Sequence, residues 1–464
     1  MSDSILLMAL DAALPDGAVV TDPDRLATYR RDAAGGLPAG EPLALVLPRT
    51  TAEVSAVLAA AHAEHVPVVP RGAGSGLSGG ANAVDGCIVL SLERMTSVKE
   101  ISPADGLAVV EPGVLNQQLR DDAAQHGLTY APDPASKTWC TLGGNIATNA
   151  GGLCCVKYGV TRDAVLGLEV VLADGRTTRL GRRSVKGVAG YDLVSLMVGS
   201  EGTLGVVTEA TLRLRPPPPP PTTVVAVFPD LASAGRAVQA VTATLTPSLL
   251  ELMDRATVRA VEAMRPMGLD VDAAALLLAQ TDSAGTAEAD ALVRACEQAG
   301  ASEVFRSEDD AESDALLEAR RLAFPALERL GAVVLDDVAV PRSKMVEALG
   351  RIEQVAAERD VLIGTFGHAG DGNLHPTIVV PHGDEAAAVR SAQAFVDVVH
   401  VALQLGGTVT GEHGVGLLKA GLLGVELDPT ARDLHAAVKA ALDPRGILNP
   451  GKALPAPVHD LHLG

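Results

Sequence analysis

Six prolines stand in a row at Pro216 to Pro221, and no other stretch limits the fold so severely. Proline has no amide donor and a locked φ, so six together form neither a helix nor a central strand. They are expected to be a stiff polyproline II spacer of about 3.1 Å per residue. The chain must then build separate bodies on the two sides. Its 464 residues are in any case too many for one ordinary core. Domain limits are expected at 1–221, 222–423 and 424–464, with "DPRGILNPGK" in the last segment packing back on the first body.

Before the spacer, "LALVLP", a helix and "VPVVP" occupy 43–70. Thr50 and Glu53 are spaced as a capping box, and Val54, Val57, Leu58 and Ala61 fall on one helical face. So short a strand–helix–strand unit implies a parallel pair with a right-handed crossover. From 86 to 215 the texture changes to short apolar runs broken by glycine ("CIVLSL", "LAVVEPG", "AVLGLEVVLADG", "LGVVTEATLRLRP"), expected as strands of a second sheet. After the spacer, "TTVVAVF", "SLLELMD", "ALLLAQTD" and "SEVFRSE" alternate with amphipathic helices such as "LASAGRAVQAVTATL" and "AGTAEADALVRACEQAG". The fold class is α+β.

Composition removes several functions. Lys and Arg number 37 against 57 acids, a net charge of -20 that repels phosphate backbones and anionic lipid, so nucleic acid is not an expected partner. The five cysteines (Cys87, Cys140, Cys154, Cys155, Cys296) contain no C-x-x-C, which fits neither a disulfide framework nor a thiolate zinc site, nor iron–sulfur ligation. The amino terminus has Asp3 and no basic residue before its apolar stretch, unlike a secretory signal. With no run of roughly 18 apolar residues, a cytoplasmic location is expected.

"PRGAGSGLSGGAN" sets Gly72, Gly74, Gly76, Gly79 and Gly80 directly after a strand. Stripped of side chains, successive N–H groups can turn inward as a phosphate nest; the same glycines can also make only a tight structural loop. A G-x-G-x-x-G is present from Gly74 to Gly79, but turn residues and another strand follow where a dinucleotide fingerprint needs a helix. This points away from NAD. Two further clusters, "PDPASKTWCTLGGNIATNAGG" and "VGSEGTLGVVTEATL", repeat the small-residue texture suited to a flat or charged ligand.

"GHAGDGNLH", 367–375, carries two histidines about an Asp-Gly pair between apolar runs. If Asp371 and Gly372 form a two-residue type I′ turn, His368 and His375 oppose each other closely enough to share an ion. Pro376 then allows the second strand to be an edge at best. The other possibility is a glycine-rich hairpin with two incidental histidines. "GEHG", 411–414, adds an acid and a third histidine in another glycine-bounded turn, and two imidazoles with one carboxylate are usual ligands of an open divalent site. A carboxylate substrate wants a planar, two-pronged cation, for which Arg320 in "LLEARRLAFPAL" and Arg342 in "VAVPRSK" are candidates, against solvated surface charges.

These runs, with "KYGVTRDAVLGLEVVLADG" and "GYDLVSLMVGSEGTLGVVTEATLRL", resemble the FAD-dependent D-2-hydroxy acid dehydrogenases of the vanillyl-alcohol oxidase superfamily, over about 43–452. That group includes D-lactate dehydrogenases, the flavin subunit of glycolate oxidase and D-2-hydroxyglutarate dehydrogenases. The resemblance implies a two-lobed FAD-binding domain and a ferredoxin-like substrate (cap) domain. It implies that Arg71, Gly72, Ala73, Gly74, Ser75, Gly76, Leu77 and Ser78 wrap the FAD pyrophosphate. Pro132, Asp133, Gly143, Gly144, Asn145 and Thr148 would line the ribityl and flavin path, Glu201, Gly202, Val206 and Val207 would meet the adenosine end, and Asn449 would also bind cofactor. With no histidine in the first loop, non-covalent FAD is expected.

The resemblance further implies that His368, His375 and Glu412 ligate a divalent metal, zinc by preference, and that His413 is the catalytic base. Relatives often have Asn two residues past the second histidine; this chain has Thr377. Relatives taking 2-hydroxyglutarate have a lysine where Leu335 stands among acids and aliphatics, so a monocarboxylate, D-lactate or glycolate, is favoured. Electrons would leave to a quinone, cytochrome or electron-transfer flavoprotein, and a homodimer or companion subunits are expected partners. The rival of another class is a non-catalytic nucleotide-binding scaffold.

Overall fold

The helix expected after Thr50 is present in the computed structural model, which describes residues 2–455. It spans Thr51–Glu64; Thr50 Oγ1 accepts from Glu53 N at 3.2 Å, and its buried residues are Val54, Val57, Leu58 and Ala61. The flanking strands Ala44–Val46 and Val68–Arg71 are parallel members of one sheet but not neighbours, because Ile88–Ser91 lies between and parallel to both. The expected direct pair is thus corrected, and "CIVLSL" belongs to this sheet rather than the second. Ile88, Val89 and Leu90 are each 0% exposed, and a continuous apolar run suits the centre of a parallel sheet covered on both faces.

A second sheet is antiparallel, with strands in the order Val98–Ser102, Leu107–Val110, Val206–Arg213, Val165–Val171, Thr177–Gly181. One face packs Ala108, Val110, Leu168, Val170, Ala210 and Leu212 against Leu119, Ile146 and Met197 from short helices. The closing segment joins the parallel sheet: Val68 N donates to Ile447 O and Asn449 N to Val68 O, both at 2.8 Å.

The chain groups into two compact units. Of the described residues, the first holds 2–152, Gly159–Pro217 and 412–455, and the second holds Leu153–Tyr158 and Pro218–Gly411. The division falls inside the exposed proline run. Where limits at 221 and 423 were expected, the chain instead leaves the second unit after Gly411, and the six residues from Leu153 group with that unit.

The second unit is built on one antiparallel sheet. Thr222–Phe228, Leu249–Asp254, Ala275–Thr281 and Glu303–Arg306 stand in the spatial order fourth, first, third, second, with helices Leu231–Thr244 and Ala287–Ala299 as connections. This is the ferredoxin-like arrangement. The sheet continues through Leu362–His368, Asn373–Val380 and Ala332–Leu335. Pro376 does not make its strand an edge: residues 377–380 pair with Ala332–Leu335, and Val338–Ala339 pairs with Leu374 and Asn373. The proline sits where the neighbouring chain breaks between those two pieces, so its missing donor interrupts no ladder, while its carbonyl accepts from Asp336 N at 2.9 Å. Helix Glu385–Gln404 is long and apolar enough by composition to cross a membrane, although Arg390 and Asp397 interrupt its apolar residues. Its Ala394, Phe395, Val398 and Val399 are buried, and it packs on helix Met345–Arg359.

Candidate functional site

The glycine loop begins where strand Val68–Arg71 ends. No helix starts on it; the chain runs through turns to Ile88. Arg71 folds back under the loop, 8% exposed, its guanidinium 5.6 Å from the Tyr29 ring. Burial pushes that guanidinium down and the nearby Asp32 carboxyl up. Among the described residues Arg71 Nη1 has no hydrogen-bond partner, and a buried unsatisfied cation is costly unless an anion answers it. Gly74 has φ +76°, and a Cβ there would collide with Arg71 Nη2, so only glycine closes this turn. A Cβ on Gly72 would collide with Thr141 Oγ1, which brings the first two glycine clusters together. This donor set fits a pyrophosphate.

Other expected cofactor residues divide into those facing the loop and those used in packing. Thr141 caps helix Leu142–Thr148. Gly143 lies against Pro112. The Asn145 side chain is held internally, its Oδ1 accepting from Asn116 Nδ2 at 3.1 Å, and Pro132 O accepts from the same Asn116 amide. Thr148 Oγ1 donates back to Gly144 O at 3.2 Å. Asp133 is buried beneath Gly152. Val206 is a core residue, with Val207 half-buried beside it, and Gly202 abuts Pro70.

Glu201 does something the sequence did not disclose. Its fully buried carboxylate accepts from Val415 N at 2.7 Å and Gly416 N at 2.9 Å, and burial pushes its pKa up to about 7. Ser78 O, in the glycine loop, accepts from Leu417 N and Leu418 N. The segment carrying Glu412 and His413 is therefore clasped to the glycine loop by backbone bonds, and a Cβ on Gly151 would collide with Glu412 Oε2. Asn449 tightens the clasp by donating to Gly80 O at 2.9 Å and Glu201 O at 2.6 Å. Lys452, 1% exposed, donates to Asn82 O and to Asn449 Oδ1, and burial lowers its pKa to about 8.

In the second unit the histidine hairpin differs from its expected geometry. Its loop is the four residues between His368 and Asn373, with Asp371 N and Gly372 N both donating to His368 O at 3.0 Å. A type I′ turn needs positive φ at both central residues, and here Gly372 has φ +77° while Asp371 is not left-handed. His368 is thus opposite Asn373, and His375 is opposite Phe366. The histidines are diagonal neighbours on one face rather than directly opposed, and their ring centroids lie 5.0 Å apart. Both are buried.

Their supports come from elsewhere in the unit. His368 Nδ1 lies 2.6 Å from Glu251 Oε1, and the other oxygen of that carboxylate accepts from Arg320 Nε at 2.7 Å. Asp337 Oδ1 lies 3.6 Å from His375 Nδ1, and Asp337 Oδ2 accepts from Thr410 Oγ1 at 2.8 Å and Gly411 N at 2.9 Å. Glu412 and His413 are the next two residues of the chain. His368 is fixed through Nδ1 by Glu251, and Asp337 stands within ion-pair distance of His375; two imidazoles flanked by carboxylates in this way form a set suited to a divalent cation. Arg342 is exposed, without an ion pair to any described residue. Glu251 and Asp337 were missed from sequence; the only signal was a lone acid in the apolar run "SLLELMD" and the pair "DD" before "VAVP".

Two family models match the chain: FAD binding domain over residues 42–181, and FAD linked oxidases, C-terminal domain, over residues 218–453. The chain belongs to the FAD-linked oxidases. This FAD-linked oxidase is 43% identical to the glycolate oxidase subunit GlcD of Bacillus subtilis, over 89% of this chain and 88% of that one. It is 38% identical to a D-lactate dehydrogenase of Archaeoglobus fulgidus, over 90% and 92%. It is 36% identical to a D-2-hydroxyglutarate dehydrogenase of Xanthomonas citri pv. viticola, over 96% of each. Its fold is that of p-cresol methylhydroxylase, with a TM-score of 0.82 at 18% identity over 97% and 96% of the two chains, the vanillyl-alcohol-oxidase type. It is an FAD-dependent oxidoreductase.

Proposed function

We propose that this FAD-linked oxidase converts a D-2-hydroxy acid to its 2-oxo acid, with D-lactate or glycolate as the substrate. The observation that carries this is the buried cluster in which one carboxylate holds both Arg320 and His368, with His375 beside them. Arg320 receives the substrate carboxylate through its free guanidinium end. The His413 imidazole takes the proton of the C2 hydroxyl. A divalent cation, zinc by preference, would be held by His368, His375 and Glu412, supplying a Lewis acid that lowers the hydroxyl pKa. FAD supplies the two-electron acceptor for the hydride leaving C2. It is held non-covalently, since no residue from Arg71 to Ser78 is a histidine. Companion subunits, an acceptor such as a quinone, cytochrome or electron-transfer flavoprotein, and a cytoplasmic location complete the proposal.

A 2-hydroxyglutarate specificity, borne by one relative's name, is the second reading. Buried Asp336 and Asp337 follow directly after Leu335, the strand residue that faces Thr377, and these acids repel a distal carboxylate. The test is an anaerobic screen of D- and L-2-hydroxy acids for flavin bleaching, with and without a chelator. Bleaching by D-lactate or glycolate that the chelator slows is the expected result. Bleaching by D-2-hydroxyglutarate alone favours the second reading, and none by any acid overturns both.

A further inference from the structure

We infer that Glu251 is a positioning residue that sets the proton of one metal-ligand histidine and the plane of the substrate arginine through a single carboxylate. The inference rests on the hydroxy acid reading above and deepens it. It begins with register: strand Leu249–Asp254 runs antiparallel to Leu362–His368, and Glu251 is directly opposite His368. Every residue of the Glu251 strand is buried, and the glutamate itself is 0% exposed. A lone ionised carboxylate in such a place is destabilising unless both oxygens are answered. Here one oxygen meets His368 Nδ1 at 2.6 Å and the other Arg320 Nε at 2.7 Å.

An ionised carboxylate only accepts, so the His368 proton belongs on Nδ1. That leaves the lone pair on Nε2, the form a metal requires. The same carboxylate fixes the guanidinium by its Nε edge, while the Phe366 ring, 4.6 Å from Arg320 Cζ, fixes its plane. Neither Nη of Arg320 has a hydrogen-bond partner among the described residues, so the two-pronged end is left for an external carboxylate. Phe366 in turn is 5.7 Å from the His375 ring. Arg320 and His368 therefore take their orientation from one acid, with the Phe366 ring stacked beside the arginine.

Glu251→Gln tests this, because the amide keeps the volume but cannot accept from both donors. If its NH2 faces His368, the imidazole must accept at Nδ1 and carry its proton on Nε2. Zn2+ and Mn2+ affinities measured by equilibrium dialysis of the flavin-loaded protein should fall 10- to 100-fold, about the range for such outer partners. Long-range proton–nitrogen spectra of 15N-histidine protein, with the His368 signal identified by its loss in His368→Asn, should change from the Nδ1–H to the Nε2–H pattern. Flavin content should stay at the wild-type level. Arg320→Gln leaves the Glu251–His368 bond in place and should raise KM for the hydroxy acid while Zn2+ affinity is kept.

Wild-type metal affinity together with an unchanged His368 pattern in Glu251→Gln overturns the inference. If Glu251→Gln does not fold, an Arg320→Gln variant with wild-type KM overturns it instead. A tautomer change in a protein whose flavin no hydroxy acid bleaches would sustain Glu251 as the organiser while removing the proposed substrate.

Discussion

The glycine loop of the first unit and the histidine hairpin of the second are both polar constructions in apolar surroundings, made by opposite means. The loop is built from backbone: Ser78 O, Gly80 O and Asn82 O take hydrogen bonds from Leu417 N, Asn449 Nδ2 and Lys452 Nζ, and Gly72, Gly74 and Gly79 are places where a side chain would not fit. The hairpin is built from side chains, with Glu251 on a neighbouring strand hydrogen-bonded to His368 and Asp337, between two strands, within ion-pair distance of His375. One is defined by what is absent, the other by partners far away in sequence. Adding atoms should therefore break the first, and deleting them the second.

The largest effect is expected at Gly74. With φ +76° and Arg71 Nη2 where its Cβ would stand, Gly74→Val should abolish FAD retention, read as loss of visible absorbance after gel filtration. A yellow Gly74→Val protein would show that the loop is not the cofactor's cradle. Next comes His413→Ala. Its segment is clasped by Glu201 and Ser78, so the loop should survive truncation while substrate-driven flavin reduction slows about 10²- to 10⁴-fold, the usual worth of a general base. His375→Ala is the matching deletion in the hairpin. The variant should stay yellow, and chelator should no longer slow its residual flavin reduction as it does for wild type. In contrast, Ser75→Ala removes an atom from a backbone-built loop and should leave flavin content nearly unchanged.

The same contrast explains what the sequence disclosed. A loop made by omission leaves a dense mark, glycines at 72, 74, 76, 79 and 80, and the fold around it follows from local signals such as Thr50 and the helical face of Val54 and Leu58. The hairpin was legible as a motif, but its turn was not. Asp-Gly favours type I′ in isolation, yet a four-residue loop with positive φ only at Gly372 formed instead. The supports were hidden because a hydrogen bond between residues 251 and 368 depends on strand order, which periodicity does not encode. For the same reason Ile88–Ser91 entered the parallel sheet unannounced, and the bonds from Val415 N and Gly416 N to Glu201 were not foreseen.

The smallest effect concerns two buried carboxyls, one per unit, each accepting two backbone amides. Glu201 takes Val415 N and Gly416 N; Asp254 takes Thr257 N and Thr365 N. Burial outweighs those bonds in both, raising Glu201 from 4.5 to about 7 and Asp254 from 3.8 to about 6. A raised carboxyl means the unfolded chain releases its proton first as pH climbs, so stability is full below the unfolded pKa and falls until the folded group ionises. For Glu201 that window is pH 4.5 to 7, and for Asp254 it is pH 3.8 to 6. Each shift corresponds to about 3 kcal/mol at most. Between pH 6 and 7 the first unit's carboxyl should be losing more stability than the second's. Urea midpoints followed by flavin release should thus decline across that interval in wild type and in Asp254→Asn, and decline less in Glu201→Gln. Equal slopes in all three would mean that Glu201 is already ionised at pH 6, held so by its two amides, and that the clasp is a charged one.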